Sequence, residues 1–246
     1  LPLAGCGGTD DENTLTVLNY GKYIDPEVLD MFEEETGIQV KYDESETPED
    51  VYSRYKAGSI DYDLICTSDY MVEKLINEGE VLELNFDNIP NVANLDETYF
   101  EFSQSFDPEN KYSMPYFFGT VGILYNKNMV DEADLTTWSC LWNEKYSDQV
   151  IMADSVRDSF MAALKYLGYS LNTTDEAELL EAQEILLNQK PMVQSYLVDE
   201  AQDEMISENA AMALVYSGEA GLAIEENENL GYAIPEEGSN WFVDAM

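Results

Sequence analysis

Short apolar runs alternate with amphipathic stretches in the first third of the chain. The apolar runs predict strands at 15–18, 38–42 and 63–66, and the amphipathic stretches predict helices at 26–36, 48–57 and 72–78. The first helix has clear ends, because Asp25 can cap it, Pro26 suits its first position and Gly37 suits its exit. Val28 and Phe32 belong to the apolar stripe of that helix. A βαβαβα order is typical of a parallel sheet covered by helices.

The same alternation returns after a mixed stretch at 82–112, which contains turn residues at 107–110. Apolar runs predict strands at 116–125, 151–152, 211–216 and 232–234, and amphipathic stretches predict helices at 155–167, 174–188 and 218–227. The first α/β block ends near Phe118 and the second starts near Thr120. A connection this short suits a hinged clamp of two lobes.

Acidic residues dominate the charged positions. The 246 residues include 51 Asp and Glu against 11 Lys and Arg, with no His, so the formal net charge is −40. Such a surface repels nucleic acid and attracts cations, and we expect no nucleic-acid partner. Most surface carboxylates only keep a protein soluble, so the charge indicates a cationic ligand weakly when taken alone.

Enzyme chemistry finds little support in the residues. The lack of His excludes the usual Ser-His and Cys-His pairs, and the phosphate-binding patterns GxGxxG and GxxxxGK[ST] are absent. A carboxylate pair for glycoside hydrolysis stays open, because 51 acidic residues guarantee chance pairs.

Two of the three cysteines lie in apolar surroundings. Cys66 follows an apolar run, and Cys140 lies between Trp138 and Trp142. We interpret both cysteines as small apolar residues and both tryptophans as core residues. Without His or a CxxC spacing a zinc site is disfavoured, and we expect no metal and no cofactor.

Tyrosine and carboxylate side chains recur just after the predicted strands, where ligand sites of open α/β sheets lie. The candidates in these segments are Tyr20, Tyr23, Tyr70, Asp158 and Tyr216. Aromatic faces with carboxylates and few basic residues suit an organic ammonium ion, since a cation–π contact contributes about 0.5–2 kcal/mol per ring. The alternatives are structural: Ser155 and Asp158 could form a helix capping box, and the tyrosines could be ordinary half-buried aromatics.

Several motifs in order resemble the spermidine/putrescine-binding proteins of bacterial polyamine ABC transporters. They include Leu18-Asn19-Tyr20-Gly21-Lys22-Tyr23, Ser68-Asp69-Tyr70, Ser155-Val156-Arg157-Asp158 and Trp241-Phe242-Val243-Asp244. The resemblance implies an α/β fold of two lobes, the type II periplasmic-binding-protein fold, with 14–118 plus 240–246 in the first lobe and 119–239 in the second. Members of that family continue past the position of Met246, so we expect both lobes to be incomplete and the fold truncated at its C-terminus.

The resemblance also implies roles for individual residues in closing on a polyamine. Asp158 and Asp244 would hold ammonium groups, and Tyr20 and Tyr23 would face the methylene chain. Ser68 and Tyr70 would form a polar and aromatic pair. Tyr216 and Phe242 stand at positions where family members often have Trp. Ser155 stands where some family members have another acidic residue, so the resemblance is compatible with either putrescine or spermidine as the ligand.

The N-terminal residues Leu3-Ala4-Gly5-Cys6 resemble a bacterial lipobox, with 1–13 as lipobox and tether. The lipobox resemblance implies lipidation at Cys6 and an extracytoplasmic protein that is tied to the membrane by lipid alone. The resemblance to the polyamine-binding proteins implies delivery of a polyamine to an ABC permease, and we expect the protein to be a monomer. The competing functions are a binding protein of the same fold for a sugar, ferric ion or other cation, a carboxylate-pair hydrolase, and a sensor using the same clamp.

Overall fold

The computed structural model describes residues 13–246, which form two compact units. The first unit contains the described residues up to Tyr116 together with Asp244–Met246, and the second unit contains Phe117–Val243. The chain therefore passes between the units twice. None of the helices in 13–246 is both long enough and apolar enough to cross a bilayer.

The first unit is built on a parallel sheet. Its elements are β1 (Thr14–Tyr20), α1 (Pro26–Thr36), β2 (Gln39–Ser45), α2 (Pro48–Ala57), β3 (Leu64–Ile65), β4 (Thr67–Ser68), α3 (Asp69–Glu78), α4 (Glu97–Ser103) and the start of β5 (Pro115–Asn126). Strand β1 lies in the middle of the sheet, with β2 and β3 parallel to it on its two sides. The predicted βαβαβα order and parallel sheet are confirmed.

Helix α1 has the predicted ends. The Asp25 carboxylate accepts the backbone N–H of Glu27 at 3.0 Å, and Gly37 closes the helix in the left-handed region at φ 72°. The apolar stripe is present but stays at the surface: no residue of α1 is buried, and Val28 is 50% exposed. The pattern sets which side chains share a face, whereas burial depends on what packs against that face.

The second unit has a mixed sheet. After the larger part of β5 come β6 (Val150–Ala153), α5 (Val156–Leu167), α6 (Glu176–Gln189), β7 (Val193–Leu197), α7 (Glu200–Ile206), β8 (Met212–Tyr216), α8 (Ser217–Glu226), β9 (Leu230–Ala233) and β10 (Trp241–Ala245). Strand β6 is parallel to β7 and β8, while β5 is antiparallel to β8 and β9. The sequence pattern predicts β6, β8, β9, α5, α6 and α8 but misses β7, α7 and β10, whose apolar runs are short.

Of the two tryptophans predicted as core residues of the second unit, one is buried and Trp142 is partly buried against the core. Trp138 is fully buried, and its indole N–H donates to the Gly238 carbonyl at 2.8 Å; the Trp142 indole donates to the Ile185 carbonyl at 3.0 Å. Cys66 in the first unit and Cys140 in the second are both buried free thiols, which confirms them as small apolar residues. Burial raises the pKa of the Cys140 thiol to about 12.

Strand β10 ends in the first unit, where it pairs antiparallel with β4. Asp244 lies opposite Ser68, and Ala245 lies opposite Thr67. Met246 then exchanges two backbone hydrogen bonds with Met114, at 2.7 and 2.9 Å. The last residues of the chain are thereby part of the first unit and carry Asp244 to the end of β4.

The predicted turn after α4 is organised by Asp107, which is 1% exposed. Its carboxylate accepts the backbone N–H groups of Lys111, Tyr112 and Ser113 at 2.8 to 3.0 Å, and the Ser113 hydroxyl at 3.1 Å. One acidic side chain therefore satisfies several main-chain donors of a loop that has no strand partner for them. A buried donor left without an acceptor costs about 1–3 kcal/mol.

We expect Asp107→Ala to lower the free energy of unfolding by about 3 kcal/mol, because it orphans several main-chain donors at once. Chemical denaturation followed by circular dichroism measures the change. The matched control is Asp96→Ala, which removes a single exposed cap on the Thr98 N–H and should cost about 1 kcal/mol. Equal losses for the two variants would contradict the role given to Asp107.

Candidate functional site

Asp244 is the acidic group at the centre of the candidate site in the first unit. It is 1% exposed, and both of its oxygens accept hydrogen bonds from hydroxyls. Tyr23 Oη donates to Oδ2 at 2.8 Å, and Ser68 Oγ donates to Oδ1 at 2.6 Å. The pairing of β10 with β4 brings Ser68 opposite Asp244, so the sheet itself fixes this contact. Hydroxyl donors are neutral, so neither of these two bonds cancels the charge of the carboxylate.

Two tyrosines at the end of β1 pack against each other beside Asp244. The rings of Tyr20 and Tyr23 meet edge to face, with centroids 5.2 Å apart and planes at 83°. Tyr20 Oη lies 3.1 Å from Thr67 Oγ1 and accepts the Ser68 N–H at 3.2 Å. Burial, and secondly the Asp244 carboxylate, raises the pKa of both tyrosine hydroxyls well above its ordinary value. Both hydroxyls therefore stay protonated and able to donate across the physiological pH range.

Further residues hold this tyrosine pair and were not among the predicted site residues. Tyr116 Oη donates to the Tyr23 carbonyl, and Tyr42 Oη donates to the Tyr20 carbonyl at 3.3 Å. Thr67, next to Ser68, contacts the Tyr20 hydroxyl. In the sequence, these residues are marked as site candidates only by lying near predicted strand ends. Many other polar residues lie near strand ends too, so this position does not single them out.

Tyr70 lies in the first turn of α3 but does not join the hydroxyls on Asp244. Its hydroxyl donates to Glu49 Oε1 at 3.0 Å, and its backbone N–H donates to Asp69 Oδ1 at 2.6 Å. The structure therefore brings Tyr20, Tyr23 and Ser68 together around Asp244 and links Tyr70 to a carboxylate on α2 instead.

The second unit holds a similar arrangement around Asp158. This residue is 6% exposed in the first turn of α5, and its Oδ2 accepts the Tyr216 hydroxyl at 2.7 Å. Ser155 is the N-cap of α5, since its Oγ accepts the Asp158 N–H at 3.3 Å. Of the predicted capping box, the hydrogen bond from the Asp158 N–H to the Ser155 hydroxyl is formed. The Asp158 carboxylate accepts the hydroxyl of Tyr216 at the end of β8.

Phe242 packs edge to face on Tyr216, with ring centroids 5.4 Å apart. Gly119 on β5 makes room for this pair: a Cβ at that position would lie 2.9 Å from Phe242 Cζ and 3.1 Å from Ser217 Oγ. Ser217 Oγ is itself placed by the Thr120 N–H, which donates to it at 3.1 Å. The sequence shows Gly119 as an interruption of an apolar run, and only packing reveals its reason.

A pocket in the second unit is lined by Asp158, Tyr216 and Glu219 together with apolar side chains of the sheet. Glu219 Oε2 accepts the Tyr216 N–H at 3.3 Å, so this carboxylate lies at the start of α8. Glu219 was not among the predicted site residues, because it lies three residues beyond the end of β8.

No group of three or more side chains that could hold a metal ion occurs within 13–246. Cys6, the predicted lipidation site, lies outside the described residues.

The chain matches the sequence model of the bacterial extracellular solute-binding proteins over residues 27–246. The chain belongs to this family. The spermidine/putrescine-binding periplasmic protein of Escherichia coli K12 is 33% identical over 240 residues, which cover 96% of this chain and 68% of that relative. The putrescine-binding periplasmic protein SpuD of Pseudomonas aeruginosa is 31% identical over 260 residues, covering 99% of this chain and 71% of that relative.

Solved structures give the same result for the fold. A putative spermidine/putrescine ABC transporter protein of Listeria monocytogenes has a TM-score of 0.90 and 39% identity, covering 95% of this chain and 71% of its own. The lipoprotein TpPotD of Treponema pallidum has a TM-score of 0.84 and 27% identity, covering 94% of this chain and 73% of its own. The family resemblance and the α/β periplasmic-binding-protein fold predicted from the sequence are confirmed.

We expect Gly119→Ala to lower the free energy of unfolding by about 1–3 kcal/mol, because the added methyl overpacks the Phe242 ring. The matched control is Gly221→Ala in α8, where an added Cβ meets nothing within 4 Å and should stabilise the helix by about 0.5–1 kcal/mol. Urea denaturation measures both changes. Shifts of the same sign would show that Gly119 is not required for the placement of Phe242.

Proposed function

We propose that the protein captures a polyamine outside the cytoplasm and delivers it to an ABC import permease. The observation that carries this proposal is a pair of buried carboxylates, Asp244 and Asp158, each of which accepts a hydrogen bond from a tyrosine hydroxyl. The names of the Escherichia coli and Pseudomonas aeruginosa relatives support a polyamine as the ligand. The family of the chain consists of solute-binding proteins, which points away from catalysis.

In the first unit, Asp244 binds an ammonium group of the ligand. A carboxylate has about four lone-pair positions, so Asp244 can accept N–H donors of a ligand as well as the hydroxyls of Tyr23 and Ser68. Charge-assisted hydrogen bonds of this type are roughly twice as strong as neutral ones. The rings of Tyr20 and Tyr23 supply apolar surface for the methylene chain and a face for the cation.

In the second unit, Asp158 binds another ammonium group, and Tyr216 and Phe242 provide aromatic surface beside it. Ser155 caps the helix and holds the Asp158 backbone in place. The N-terminus of α5 also carries a partial positive charge, which is favourable for the Asp158 carboxylate in its first turn.

The two units act as the two lobes of a clamp in this proposal, with 14–118 plus 240–246 and 119–239 as the lobes. A polyamine has two or more ammonium groups, so one molecule can use both carboxylates when the lobes close, as the family resemblance implies. The ligand then favours the closed state by its differential affinity for that state. We further propose that the protein acts as a monomer and is anchored by a lipid on Cys6.

We expect Asp244→Asn to weaken spermidine binding by about 10- to 150-fold, because a charged hydrogen bond contributes about 1.5–3 kcal/mol and the amide adds donors that repel N–H groups. Asp158→Asn should act in the same direction. Isothermal titration calorimetry on the full-length protein with spermidine and putrescine measures both. The proposal is wrong if the protein binds neither polyamine, or if Asp244→Asn binds spermidine with unchanged affinity.

The control for these variants is Glu132→Gln. Glu132 also accepts a tyrosine hydroxyl, from Tyr125 at 3.0 Å, but it belongs to neither predicted half of the site. Its substitution removes one negative charge without touching Asp158 or Asp244. Binding in this variant should match the natural protein within about twofold, since long-range charge effects are screened by salt.

We expect the association rate for spermidine to fall by roughly tenfold when salt rises, because the net charge of −40 steers a polycation toward the surface. The screening length shrinks from about 30 Å at 0.01 M salt to about 8 Å at 0.15 M. Stopped-flow fluorescence at the two salt concentrations measures the rate. The dissociation rate should change less, since short-range contacts set it. Equal association rates would rule out steering.

A further inference from the structure

Tyr232 on β9 makes its hydrogen bonds with Thr120 on β5, within the second unit. Its hydroxyl donates to the Thr120 carbonyl at 3.1 Å, and Tyr232 Oη and Thr120 Oγ1 are also 3.1 Å apart. A tyrosine hydroxyl carries one hydrogen, so the Thr120 hydroxyl is the donor in the second contact. Burial raises the pKa of the Tyr232 hydroxyl, which therefore stays protonated at physiological pH. Tyr232 thus holds both the main chain and the side chain of Thr120.

Gly122 makes room for the ring of Tyr232. In the pairing of β9 with β5, Tyr232 lies opposite Leu124. Alternate residues of a strand share a face, so Gly122 and Thr120 lie on the same side of β5 as Leu124. A Cβ at Gly122 would lie 2.4 Å from both Cζ and Oη of Tyr232. We call Thr120, Gly122 and Tyr232 the brace, because together they fix this part of β5 from one face.

The Asp158 half of the candidate site lies on the other face of β5. Val121 stands between the two brace residues of this strand, lies opposite Tyr216 in the pairing with β8, and lines the same pocket as Asp158. The Tyr216 hydroxyl donates to Asp158 at 2.7 Å. Gly119, two residues before Val121, provides the space for Phe242. One short stretch of β5 therefore carries the brace on one face and half of the site on the other.

Thr120 also connects the brace to the start of α8. Strand β8 ends at Tyr216, and Ser217 begins α8 instead of continuing the ladder beside Thr120. The Ser217 hydroxyl takes the place of a strand partner and accepts the Thr120 N–H at 3.1 Å. Because a backbone N–H without an acceptor is costly, this bond holds Ser217 against β5. The bond thereby places the residue directly after Tyr216.

We propose that Tyr232 is a positioning residue for the Asp158 half of the polyamine site. Through Thr120, it fixes Ser217 at the start of α8. This contact keeps the neighbouring Tyr216 in the position from which its hydroxyl meets Asp158. The inference rests on the proposed polyamine-binding function and adds a residue that acts from the opposite face of β5. A site whose groups are already in place loses less free energy on ordering them when a ligand binds, so loosening the brace lowers affinity.

The competing explanation is that Tyr232 only fills the space over Gly122. A second tyrosine in the same two strands lies over a glycine: a Cβ at Gly231 would be 2.7 Å from Cζ of Tyr125. The Tyr125 hydroxyl donates to Glu132 Oε1 at 3.0 Å. A tyrosine that only fills space contributes to stability, and its hydroxyl can be removed without changing the affinity for a polyamine. Loss of the hydroxyl of a positioning residue lowers that affinity.

The experiment measures spermidine binding to Tyr232→Phe by calorimetry on the full-length protein. The substitution keeps the ring over Gly122 and removes both contacts to Thr120. Affinity should fall about three- to tenfold, which is the range that corresponds to the loss of one neutral hydrogen bond. An affinity equal to that of a natural protein that binds spermidine would overturn the proposal.

The matched control is Tyr125→Phe, which removes a hydroxyl from the same pair of strands and leaves Thr120 untouched. Its spermidine affinity should match that of the natural protein within about twofold, because sites without shared partners act independently. A loss as large as that of Tyr232→Phe would show that any hydroxyl removed from these strands has the same effect. That outcome would overturn the positioning role of Tyr232.

The route through Asp158 is tested by making Tyr232→Phe in an Asp158→Asn background. If the brace acts by keeping the Tyr216 hydroxyl on this carboxylate, the loss of affinity caused by Tyr232→Phe should shrink in this background. Residues that are linked in one hydrogen-bond network show such non-additive effects. A loss of the same size in both backgrounds would overturn the proposed route.

Amide hydrogen exchange separates a failure of the brace from a failure of the proposed function. In the ligand-free protein, Tyr232→Phe should speed exchange in the segments 119–122 and 214–218 more than Tyr125→Phe does, because protection follows local stability. Equal exchange in the two variants would overturn the brace. Failure of the natural protein to bind either polyamine would refute the proposed function instead.

Discussion

The hydrogen bond from a tyrosine hydroxyl to a carboxylate is the interaction on which both halves of the candidate site depend. With 51 acidic residues against 11 basic ones, most carboxylates cannot have a cation as a partner. Tyrosine hydroxyls donate to carboxylates in the pairs Tyr23–Asp244, Tyr216–Asp158, Tyr70–Glu49, Tyr62–Asp43, Tyr125–Glu132 and Tyr169–Glu181. A hydroxyl satisfies a lone pair of the carboxylate without cancelling its charge. The hydrogen bond therefore stabilises the carboxylate and leaves its negative charge in place.

Burial separates the two proposed binding carboxylates from those of the surface. Asp244 and Asp158 are 1% and 6% exposed, and a buried charge is costly unless hydrogen bonds and opposite charge compensate it. The hydroxyls of Tyr23, Ser68 and Tyr216 supply hydrogen bonds to these two carboxylates. In the proposed function, an ammonium group of the ligand adds opposite charge beside each of them.

Strand β10 contributes site residues to both units within three consecutive positions. Phe242 packs on Tyr216 in the second unit, and two residues later Asp244 accepts hydroxyls of the first unit. The pairing of β10 with β4 sets the position of Asp244, and the missing side chain of Gly119 sets that of Phe242. A shift of one residue in this pairing would turn Asp244 to the other side of the strand, so register decides whether the first unit's site exists.

Local sequence determined most of the helices and strands of this protein, and tertiary structure decided how they meet. The caps Asp25, Gly37 and Ser155 and the strand ends carrying Tyr20 and Tyr23 follow from preferences that act within about four residues, and a sequence pattern records these directly. The contact of Tyr23 with Asp244 joins residues 221 positions apart, and the turn of Tyr70 toward Glu49 depends on the packing of two helices. The exposure of Val28 and the need for glycine at 119 are likewise set by which surfaces meet. Periodicity determines which side chains share a face, but only long-range packing determines what that face contacts.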